Sequence, residues 1–234
     1  MKTRIWELDA FRGLCVLGMI VIHFVFDIVY LYGLVSWELS PTFLFVQQWG
    51  GILFLLISGI CITLGSRSVR RGLIVLAAGL LVSAVTIVMH RFFYFHESII
   101  IRFGVLHCLG ICMLLWPMFR KLPWWALVVI GIPMVIFGLW ADGIQISIPW
   151  LYPLGLTAEG FMSADYFPLF PNLGFFLLGA AIGRTAYKNK TSLLPDLSGI
   201  LPIRFLTFCG RQSLLIYLLH QPILSGIFYL LSIL

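Results

Sequence analysis

Long apolar segments separated by short polar ones run through the chain from end to end. The segments lack the alternation of a lipid-facing β-strand, and each is as long as a helix. A helix needs about 20 apolar residues to cross the ~30 Å hydrocarbon core of a bilayer. The pattern therefore predicts an all-α integral membrane protein, a bundle of about seven transmembrane helices at residues 13–32, 42–64, 72–89, 99–118, 124–140, 169–187 and 211–234.

Composition supports the same class of protein. The chain has 234 residues, of which 61% are hydrophobic and 10% charged, and its mean hydropathy is +1.06. These values exclude both a disordered segment and an ordinary soluble domain. Because seven spans with short connections use up the length, residues 1–234 are predicted to form a single transmembrane domain.

The basic residues predict the topology. The net charge of +6 would suggest nucleic acid as the partner of a soluble protein, but here the cations lie between apolar runs. With a cytoplasmic N-terminus, thirteen of the fifteen Lys and Arg residues fall on the inner side, and Arg91 and Arg102 fall on the outer side. Positive charge resists translocation, so the N-terminus is predicted inside, the C-terminus outside and no nucleic acid bound.

Two connections stand out in this topology. Residues 141–168 form the longest outer loop, rich in Gly, Pro and aromatic residues. This loop either caps a site that faces outward or rests among lipid headgroups, and the composition fits both interpretations. Residues 189–202, with two prolines, are predicted to be a cytoplasmic linker before the last helix.

Ionisable side chains inside spanning helices are candidate functional groups, because each costs at least ~2.5 kcal/mol to insert. His23 follows Arg12 by eleven residues, which puts it about 16 Å deep at a rise of 1.5 Å per residue. Asp27 lies four residues further on the same helix face, where it could accept a bond from His23 or stabilise the charged ring. The alternative is a buried pair that only holds helices together.

Two other histidines are predicted at a similar depth. His107 lies about 16 Å from the inner end of the fourth helix, and His220 about 14 Å from that of the seventh. Arg102 is predicted near the depth of Asp27, and two buried ions cost far less when they pair. The sequence therefore predicts a polar chamber lined by the first, fourth and seventh helices, although a bond to a backbone carbonyl also explains each histidine taken singly.

The surroundings of His220 suit a polar site without a metal. Pro222 follows His220 and Gln221 directly and removes one backbone hydrogen bond, which predicts a kink beside a polar pair. The three histidines come from separate helices, with no histidine pair four residues apart and no HExxH motif. Nothing in their spacing requires a metal, and none is expected.

Residues 65–72 (GSRSVRRG) place Arg67, Arg70 and Arg71 at the predicted cytoplasmic mouth of two helices. A guanidinium group binds phosphate through a planar fork of donors. Contact with anionic lipid headgroups explains the same composition. With a histidine in mid-membrane, a polyphosphate donor held at this loop could extend a flexible arm toward His23 while an acceptor enters from the opposite face.

Several stretches resemble one enzyme family. Arg4 with residues 7–13 (ELDAFRG) and 23–27 (HFVFD) resembles the start of the heparan-α-glucosaminide N-acetyltransferase catalytic-domain family, in particular its bacterial members. The likeness extends over nearly the whole chain, through residues 50–54 (GGILF), 58–59 (SG), 102–107 (RFGVLH), 174–179 (GFFLLG) and 210–222 (GRQSLLIYLLHQP).

The chain is also similar to the wider group of transmembrane acyltransferases, including acyltransferase-3 proteins. In that group an Arg, ten residues and a His mark the first helix, as Arg12 and His23 do here, and an inner loop carries Arg-x-x-Arg, as Arg67 and Arg70 do. The lysosomal member of the first family has an asparagine where His23 aligns and a proposed catalytic histidine in its first lumenal loop, whereas residues 33–41 here contain no histidine. The resemblance to the acyltransferase-3 pattern therefore implies that His23 has the catalytic role.

The resemblance implies a multi-pass acyltransferase of a bacterial or archaeal cytoplasmic membrane. It would move an acyl group, typically acetyl, from cytoplasmic acyl-CoA to a hydroxyl or amine of an extracytoplasmic carbohydrate acceptor. Acyl-CoA, the acceptor and membrane lipids are the expected partners, and a homo-oligomer is left open. The predicted roles are catalysis by His23 and Asp27, acyl-CoA binding by Arg12, Arg67, Arg70 and Arg71, and acceptor or oxyanion positioning by Arg102, His107, His220 and Gln221.

Two alternatives stay open at this stage. Direct transfer and a covalent acyl-imidazole intermediate both fit a histidine in this position. A proton-coupled or anion transporter could use the same buried His, Asp and Arg residues as a relay, although no inverted repeat is visible in the sequence. Tight binding of CoA distinguishes the enzyme from the transporter.

Overall fold

The chain folds into eight α-helices in a computed structural model that describes residues 4–93 and 95–233, without the side chains of residues 229 and 231–233. A π-helical turn, Asp27–Leu31, continues the first helix, and 3₁₀ turns form at Glu97–Ile99 and Pro149–Leu154. Within the described residues, strand-type pairing is confined to isolated bridges, so the all-α prediction is confirmed. The helices are α1 (Trp6–Phe26), α2 (Pro41–Leu64), α3 (Ser68–Phe93), α4 (Val105–Phe119), α5 (Trp124–Ala141), α6 (Leu169–Thr185), α7 (Leu201–Arg211) and α8 (Ser213–Ile233).

Proline marks the start of several helices. Pro123 and Pro168 directly precede α5 and α6, and Pro202 lies in the first turn of α7. Proline lacks the N–H group that a first helical turn leaves unpaired in any case, and its φ angle suits that position. The apolar runs are thus divided into helices by local signals.

Two compact units make up the chain: Met1–Phe54 with Lys190–Leu234, and Leu55–Asn189. In the first unit α1 packs mainly on α7 and also on α8. A Cβ atom added at Gly13 would lie 2.0 Å from the carbonyl oxygen of Leu206, and one added at Gly210 would lie 1.8 Å from that of Asp9. The two helices therefore meet backbone to backbone, as membrane helices with small interface residues do.

Helices of the second unit also meet backbone to backbone at glycines. Within it α5 packs on α6 and α3 on α4, and α4 also contacts α6. A Cβ at Gly59 of α2 would lie 2.0 Å from the carbonyl oxygen of Phe176, and one at Gly179 of α6 would lie 2.1 Å from that of Leu56. Phe176 is fully buried at this contact, which marks the core of the unit.

The end of α6 is tied to the turn between α4 and α5. The Arg184 guanidinium donates hydrogen bonds to the carbonyl oxygens of Arg120 and Leu122 and lies 5.6 Å from the ring centroid of Trp116. The carbonyls at the end of a helix lack partners within the helix, and a cation is favourable there. Arg184 thus supplies donors that the end of α4 needs.

Among the described residues, four helical segments are long and apolar enough to cross a membrane, namely Trp6–Leu31, Pro41–Leu64, Ser68–Phe93 and Trp124–Ala141. Val105–Phe119 and Ser213–Phe228 are apolar but shorter. On α3, Leu80 and Leu81 are 57% and 58% exposed, which suits contact with lipid rather than water. These apolar helices confirm the prediction of a helical membrane protein. The count of seven spans and the orientation of the termini stay predictions.

Several predicted boundaries are wrong. The first helix begins at Trp6 rather than at residue 13. Most of α7, residues 203–210, lies between the predicted linker and the predicted last span and was assigned to neither. The fourth helix begins at Val105 rather than at residue 99, because residues 100–104 are extended and pair with the loop that ends before α6. Arg102 therefore lies in a loop and not in a spanning helix. Lys2 and residue 234, which the predicted topology included, lie outside the described residues.

Candidate functional site

A polar quartet, defined as His23, Asp27, His220 and Gln221, joins α1 and its π turn to α8 inside the first unit. His23 Nδ1 lies 2.9 Å from His220 Nε2 and 3.2 Å from Gln221 Oε1. Gln221 Nε2 donates to Asp27 Oδ2 at 2.8 Å. Asp27 and His220 are 2% and 7% exposed, whereas His23 is only half-buried. Polar residues predicted on the first and last helices thus meet in one hydrogen-bonded group.

Asp27 connects to His23 through Gln221, whereas the sequence suggested a direct bond. The four-residue spacing does place both side chains on the side of α1 that meets α8. Asp27 begins the π turn, in which the Tyr32 N–H donates to the Asp27 carbonyl oxygen at 2.8 Å across five residues. Such turns change the direction of the side chains that follow, and they are frequent at functional sites.

Aromatic rings hold α1 and α8 together next to the quartet. The Phe228 ring centroid lies 5.5 Å from that of Phe24 and 5.0 Å from that of Tyr32, and Phe228 is 1% exposed. The Tyr32 hydroxyl donates to the Ser225 carbonyl oxygen at 3.4 Å. Apolar packing of this kind fixes the two helices in register and lowers the local dielectric, which strengthens the polar bonds beside it.

Three arginines, Arg4, Arg12 and Arg211, surround Asp9 in the first turns of α1 and form an arginine cluster. The Asp9 carboxylate lies 3.7 Å from Arg4, 3.6 Å from Arg12 and 3.3 Å from Arg211, measured between charged atoms. One carboxylate neutralises only one guanidinium, so the cluster keeps an excess of positive charge. Arg12, predicted to bind acyl-CoA, is therefore held in an ion pair with its side chain 20% exposed.

Glu7 anchors the connection that leads into α7. Its carboxylate accepts a hydrogen bond from the Ser192 hydroxyl at 2.7 Å and another from the Leu193 N–H at 2.8 Å. Bonds to a charged acceptor are among the stronger ones in proteins. The segment at 192–193 is thereby tied to the start of α1.

The predicted arginine loop connects α2 and α3 in the second unit. Arg67 and Arg70 are exposed. Arg71 folds over Gly65, where a Cβ atom would lie 2.5 Å from its Nη2. Because α3 begins at Ser68, the unpaired amides of its first turn add to the positive field of the three guanidinium groups. The loop is thus suited to an anion with several phosphate oxygens.

His107 caps the start of α4. The Gly104 N–H donates to His107 Nδ1 at 3.2 Å, so in the neutral ring Nε2 carries the proton and donates to Ser83 Oγ at 3.3 Å. Ser83 in turn donates to the Ile101 carbonyl oxygen at 2.5 Å. Both ring nitrogens are engaged and the residue is 5% exposed, which supports a structural role. Its predicted contact with an acceptor stays a prediction.

Arg102 lies in an open cleft that it forms with the loop between α5 and α6. Its Nη2 forms an ion pair with Glu97 at 2.5 Å, and its Nε donates to the Met162 carbonyl oxygen at 3.1 Å. The sequence suggested Asp27 as its partner, but the structure gives each of these two residues another partner. The cleft has a volume of about 370 Å³, and Arg102 shares its lining with Trp150, Tyr152, Glu159 and Phe161.

The wall of this cleft is built from stacked aromatic rings. Tyr152 and Phe161 stack with centroids 5.3 Å apart, and Phe161 meets Tyr166 edge-on at 4.9 Å. The Tyr166 hydroxyl donates to the Tyr152 carbonyl oxygen at 2.6 Å, and burial raises the pKa of this phenol, so it remains a donor at neutral pH. The loop is therefore ordered by its own side chains.

The predicted site residues divide between the two units. The quartet and Arg12 belong to the first unit, whereas the arginine loop, His107 and Arg102 belong to the second. The predicted polar chamber that would join them stays a prediction. Within residues 4–93 and 95–233, no group of three His, Cys, Asp or Glu side chains could hold a metal ion.

Sequence reasoning missed two features of the site. The first is the bridge that Gln221 makes, whose only signal was the position of Gln221 next to His220. The second is the gathering of Arg4, Arg12 and Arg211 on Asp9, for which the i, i+3 spacing of Asp9 and Arg12 was a visible but partial signal.

The comparisons with known proteins give the family. The family model "Heparan-alpha-glucosaminide N-acetyltransferase, catalytic" matches residues 4–222, nearly the whole chain. The chain belongs to this family, which makes it a membrane enzyme of the acetyltransferase type. Comparisons with curated proteins and with solved structures find no match.

Proposed function

We propose that this protein transfers an acetyl group from acetyl-CoA, on the cytoplasmic side, to a hydroxyl or amine of an extracytoplasmic carbohydrate acceptor. The observation that carries the proposal is the polar quartet, in which the half-buried His23 is hydrogen-bonded to the buried His220 and to the half-buried Gln221 between apolar helices. Membership of an acetyltransferase family supports the donor.

His23 is the proposed general base. It takes a proton from the acceptor O–H or N–H while that oxygen or nitrogen attacks the thioester carbonyl carbon. A tetrahedral oxyanion forms and collapses, the C–S bond breaks, and the CoA thiolate leaves. The proton on His23 then passes to the thiolate, which leaves the acetylated acceptor and CoA–SH.

The other members of the quartet stabilise the charged ring. His220 Nε2 and Gln221 Oε1 both face His23 Nδ1, and Asp27 supplies a negative charge behind Gln221. A fixed acceptor on one side of an imidazole holds the ring and stabilises its protonated form. We therefore propose that His220 and Gln221 orient the His23 ring. The sequence alone suggested instead that these two residues position the acceptor.

The arginines are the proposed donor site. Arg67, Arg70 and Arg71 carry three guanidinium groups at the first turn of α3, and their planar donors match the phosphates of CoA. Arg12 keeps further N–H donors beyond its ion pair with Asp9, since a guanidinium has five. Arg102, with Trp150 beside it in the outer cleft, is the proposed contact for the sugar.

The test is transfer of radiolabelled acetyl from acetyl-CoA by the purified full chain in proteoliposomes, with glucosamine and glucose as the amine and hydroxyl probes. Loss of general-base catalysis predicts a fall in kcat of about 100-fold or more for His23→Ala. His96→Ala is the control, because His96 bonds only locally to Ser98. Activity of His23→Ala within a few-fold of the wild type would overturn the role of His23.

Binding of CoA separates this enzyme from the transporter alternative. We expect saturable binding of CoA to the purified chain by calorimetry, weakened when Arg67 and Arg70 are both replaced by Gln. Proton or anion flux through vesicles that does not depend on acetyl-CoA, together with no CoA binding, would favour a transporter.

A further inference from the structure

The orientation of the Gln221 amide follows from its partner Asp27. An ionised carboxylate only accepts hydrogen bonds, so the atom 2.8 Å from Asp27 Oδ2 is the NH₂ group of the amide. The amide oxygen then faces the other way, 3.2 Å from His23 Nδ1. An amide oxygen only accepts, so Gln221 presents an acceptor to this ring nitrogen.

The tautomer of His220 follows from its backbone partner. His220 Nδ1 lies 2.5 Å from the carbonyl oxygen of Tyr217, and a carbonyl cannot donate, so Nδ1 carries the proton. In a neutral imidazole the other nitrogen is then a bare acceptor. That nitrogen, Nε2, lies 2.9 Å from His23 Nδ1.

Two acceptors therefore converge on one nitrogen of His23. Only a proton on Nδ1 satisfies both Gln221 Oε1 and His220 Nε2, because two facing lone pairs repel. When His23 is neutral, its second nitrogen, Nε2, has no hydrogen and carries the lone pair. The ring is also only half-buried, whereas its partner His220 is buried.

We propose that Gln221 and His220 are positioning residues that lock His23 in the Nδ1–H tautomer, with Nε2 as the base and Gln221 as the link that carries the charge of Asp27 to the ring. The catalytic meaning of this arrangement rests on the proposed acetyl transfer. In that reaction the acceptor proton goes to Nε2, while the Nδ1–H bonds to His220 and Gln221 stay in place and strengthen as the ring becomes positive. Asp27 Oδ2 accepts from the amide NH₂ throughout and holds the amide in its orientation.

The tautomer can be read without any substrate. In ¹⁵N NMR of protein labelled at its five histidines, protonated and bare ring nitrogens have well-separated shifts, and the His23 signals are those missing in His23→Ala. At a pH where His23 is neutral, we expect its proton on Nδ1 in the wild type and in the control Gln48→Met, an exposed residue of α2. In Gln221→Met, which keeps the shape but loses both amide bonds, His220 Nε2 still accepts from Nδ1–H, so we expect a smaller excess of the Nδ1–H tautomer, and a mixture of tautomers once His220→Phe is added. A proton on Nε2 in the wild type would overturn the proposal.

A double-mutant cycle tests the link to Asp27. We expect Gln221→Met to lower kcat by about 10- to 100-fold with KM for acetyl-CoA unchanged, and Asp27→Asn to have a smaller effect. If Gln221 is the link, adding Asp27→Asn to Gln221→Met lowers kcat by less than two-fold more, because the path is already broken. Strictly multiplicative effects would refute the link. Gln221→Met leaves the Asp27 carboxyl buried without this partner, and if that variant fails to fold, the wild-type tautomer described above still tests the positioning roles.

The outcomes separate this inference from the proposed function. An Nδ1–H tautomer in a chain that transfers no acetyl group from acetyl-CoA would refute the acetyl transfer alone. Acetyl transfer by a chain whose His23 carries its proton on Nε2 would refute the positioning roles and leave the enzyme in place.

Discussion

Adding one methyl group to α1 at two neighbouring glycines should have opposite effects on stability. A Cβ at Gly13 would lie 2.0 Å from the Leu206 carbonyl oxygen and 3.0 Å from the Gly210 nitrogen. A Cβ at Gly18 would meet nothing within 4 Å. Gly13→Ala and Gly18→Ala are therefore the same chemical change on one helix, with and without a backbone in the way.

The size of the difference follows from these distances. Since ordinary contacts begin near 3.4 Å, Gly13→Ala must separate α1 from α7 by more than 1 Å, and backbone atoms cannot rotate aside. A gap of about 0.5–1 Å already loses a quarter to a half of each contact energy, and overpacking costs ~1–3 kcal/mol. Alanine offsets about 1 kcal/mol of this by its better helix propensity, and Gly18→Ala has that gain alone. This gain is common to both variants and cancels, so they should differ by the overpacking cost alone, which lies at the upper end of its range, about 3 kcal/mol, because neither backbone can rotate aside.

Thermal unfolding in detergent micelles measures this difference. A thiol-reactive dye is suitable, because Cys209 next to the α1–α7 contact is 3% exposed and reacts only when the contact opens. At about 2–4 °C per kcal/mol for a chain of this size, Gly13→Ala should melt ~6–12 °C below Gly18→Ala. Equal melting temperatures, or a higher one for Gly13→Ala, would refute the close backbone contact between α1 and α7.

Two further predictions concern the arginine loop and the start of α1. Replacing Arg67 and Arg70 together by Gln should raise KM for acetyl-CoA at least ~10-fold with kcat unchanged, because the phosphates lose charge-assisted bonds far from the reacting carbon. Steady-state kinetics measures this change, with Lys121→Gln as the control variant. An unchanged KM would contradict the prediction. Glu7→Gln should speed hydrogen exchange at the Leu193 amide about 5-fold, since that bond loses its charged acceptor. Mass spectrometry of exchange, with the exposed Glu38→Gln as control, measures it, and an unchanged rate would show that Glu7 does not anchor this segment.

The helices themselves were predictable because their signal is local. Each predicted apolar segment contains a helix, since an apolar run of this length satisfies its backbone within itself and needs no distant partner. The spacing of His23 and Asp27 predicted one face in the same way. Local periodicity and the residue types were sufficient for these conclusions.

The boundaries that were wrong depend on distant partners. Residues 100–104 are apolar enough to continue a helix, yet they are extended because the Ala164 N–H donates to the Ile100 carbonyl oxygen and the Phe167 N–H to that of Phe103. These bonds cross more than sixty residues of chain in sequence. The same pairing moved Arg102 out of the membrane span, so its predicted depth was wrong for a reason that no local pattern contains.

In the candidate site, too, some features were predictable from the sequence and others depended on the tertiary fold. Chemistry-bearing residue types inside apolar runs identified His23, Asp27 and His220 from the order of residues alone, because the cost of burying such groups is a property of each residue. That Gln221 stands between Asp27 and His23, and that His107 caps α4, depended on which side chains the packed helices bring within 3.3 Å. Hydrogen bonds are short and directional, so their partners are decided by the tertiary fold and not by position along the chain.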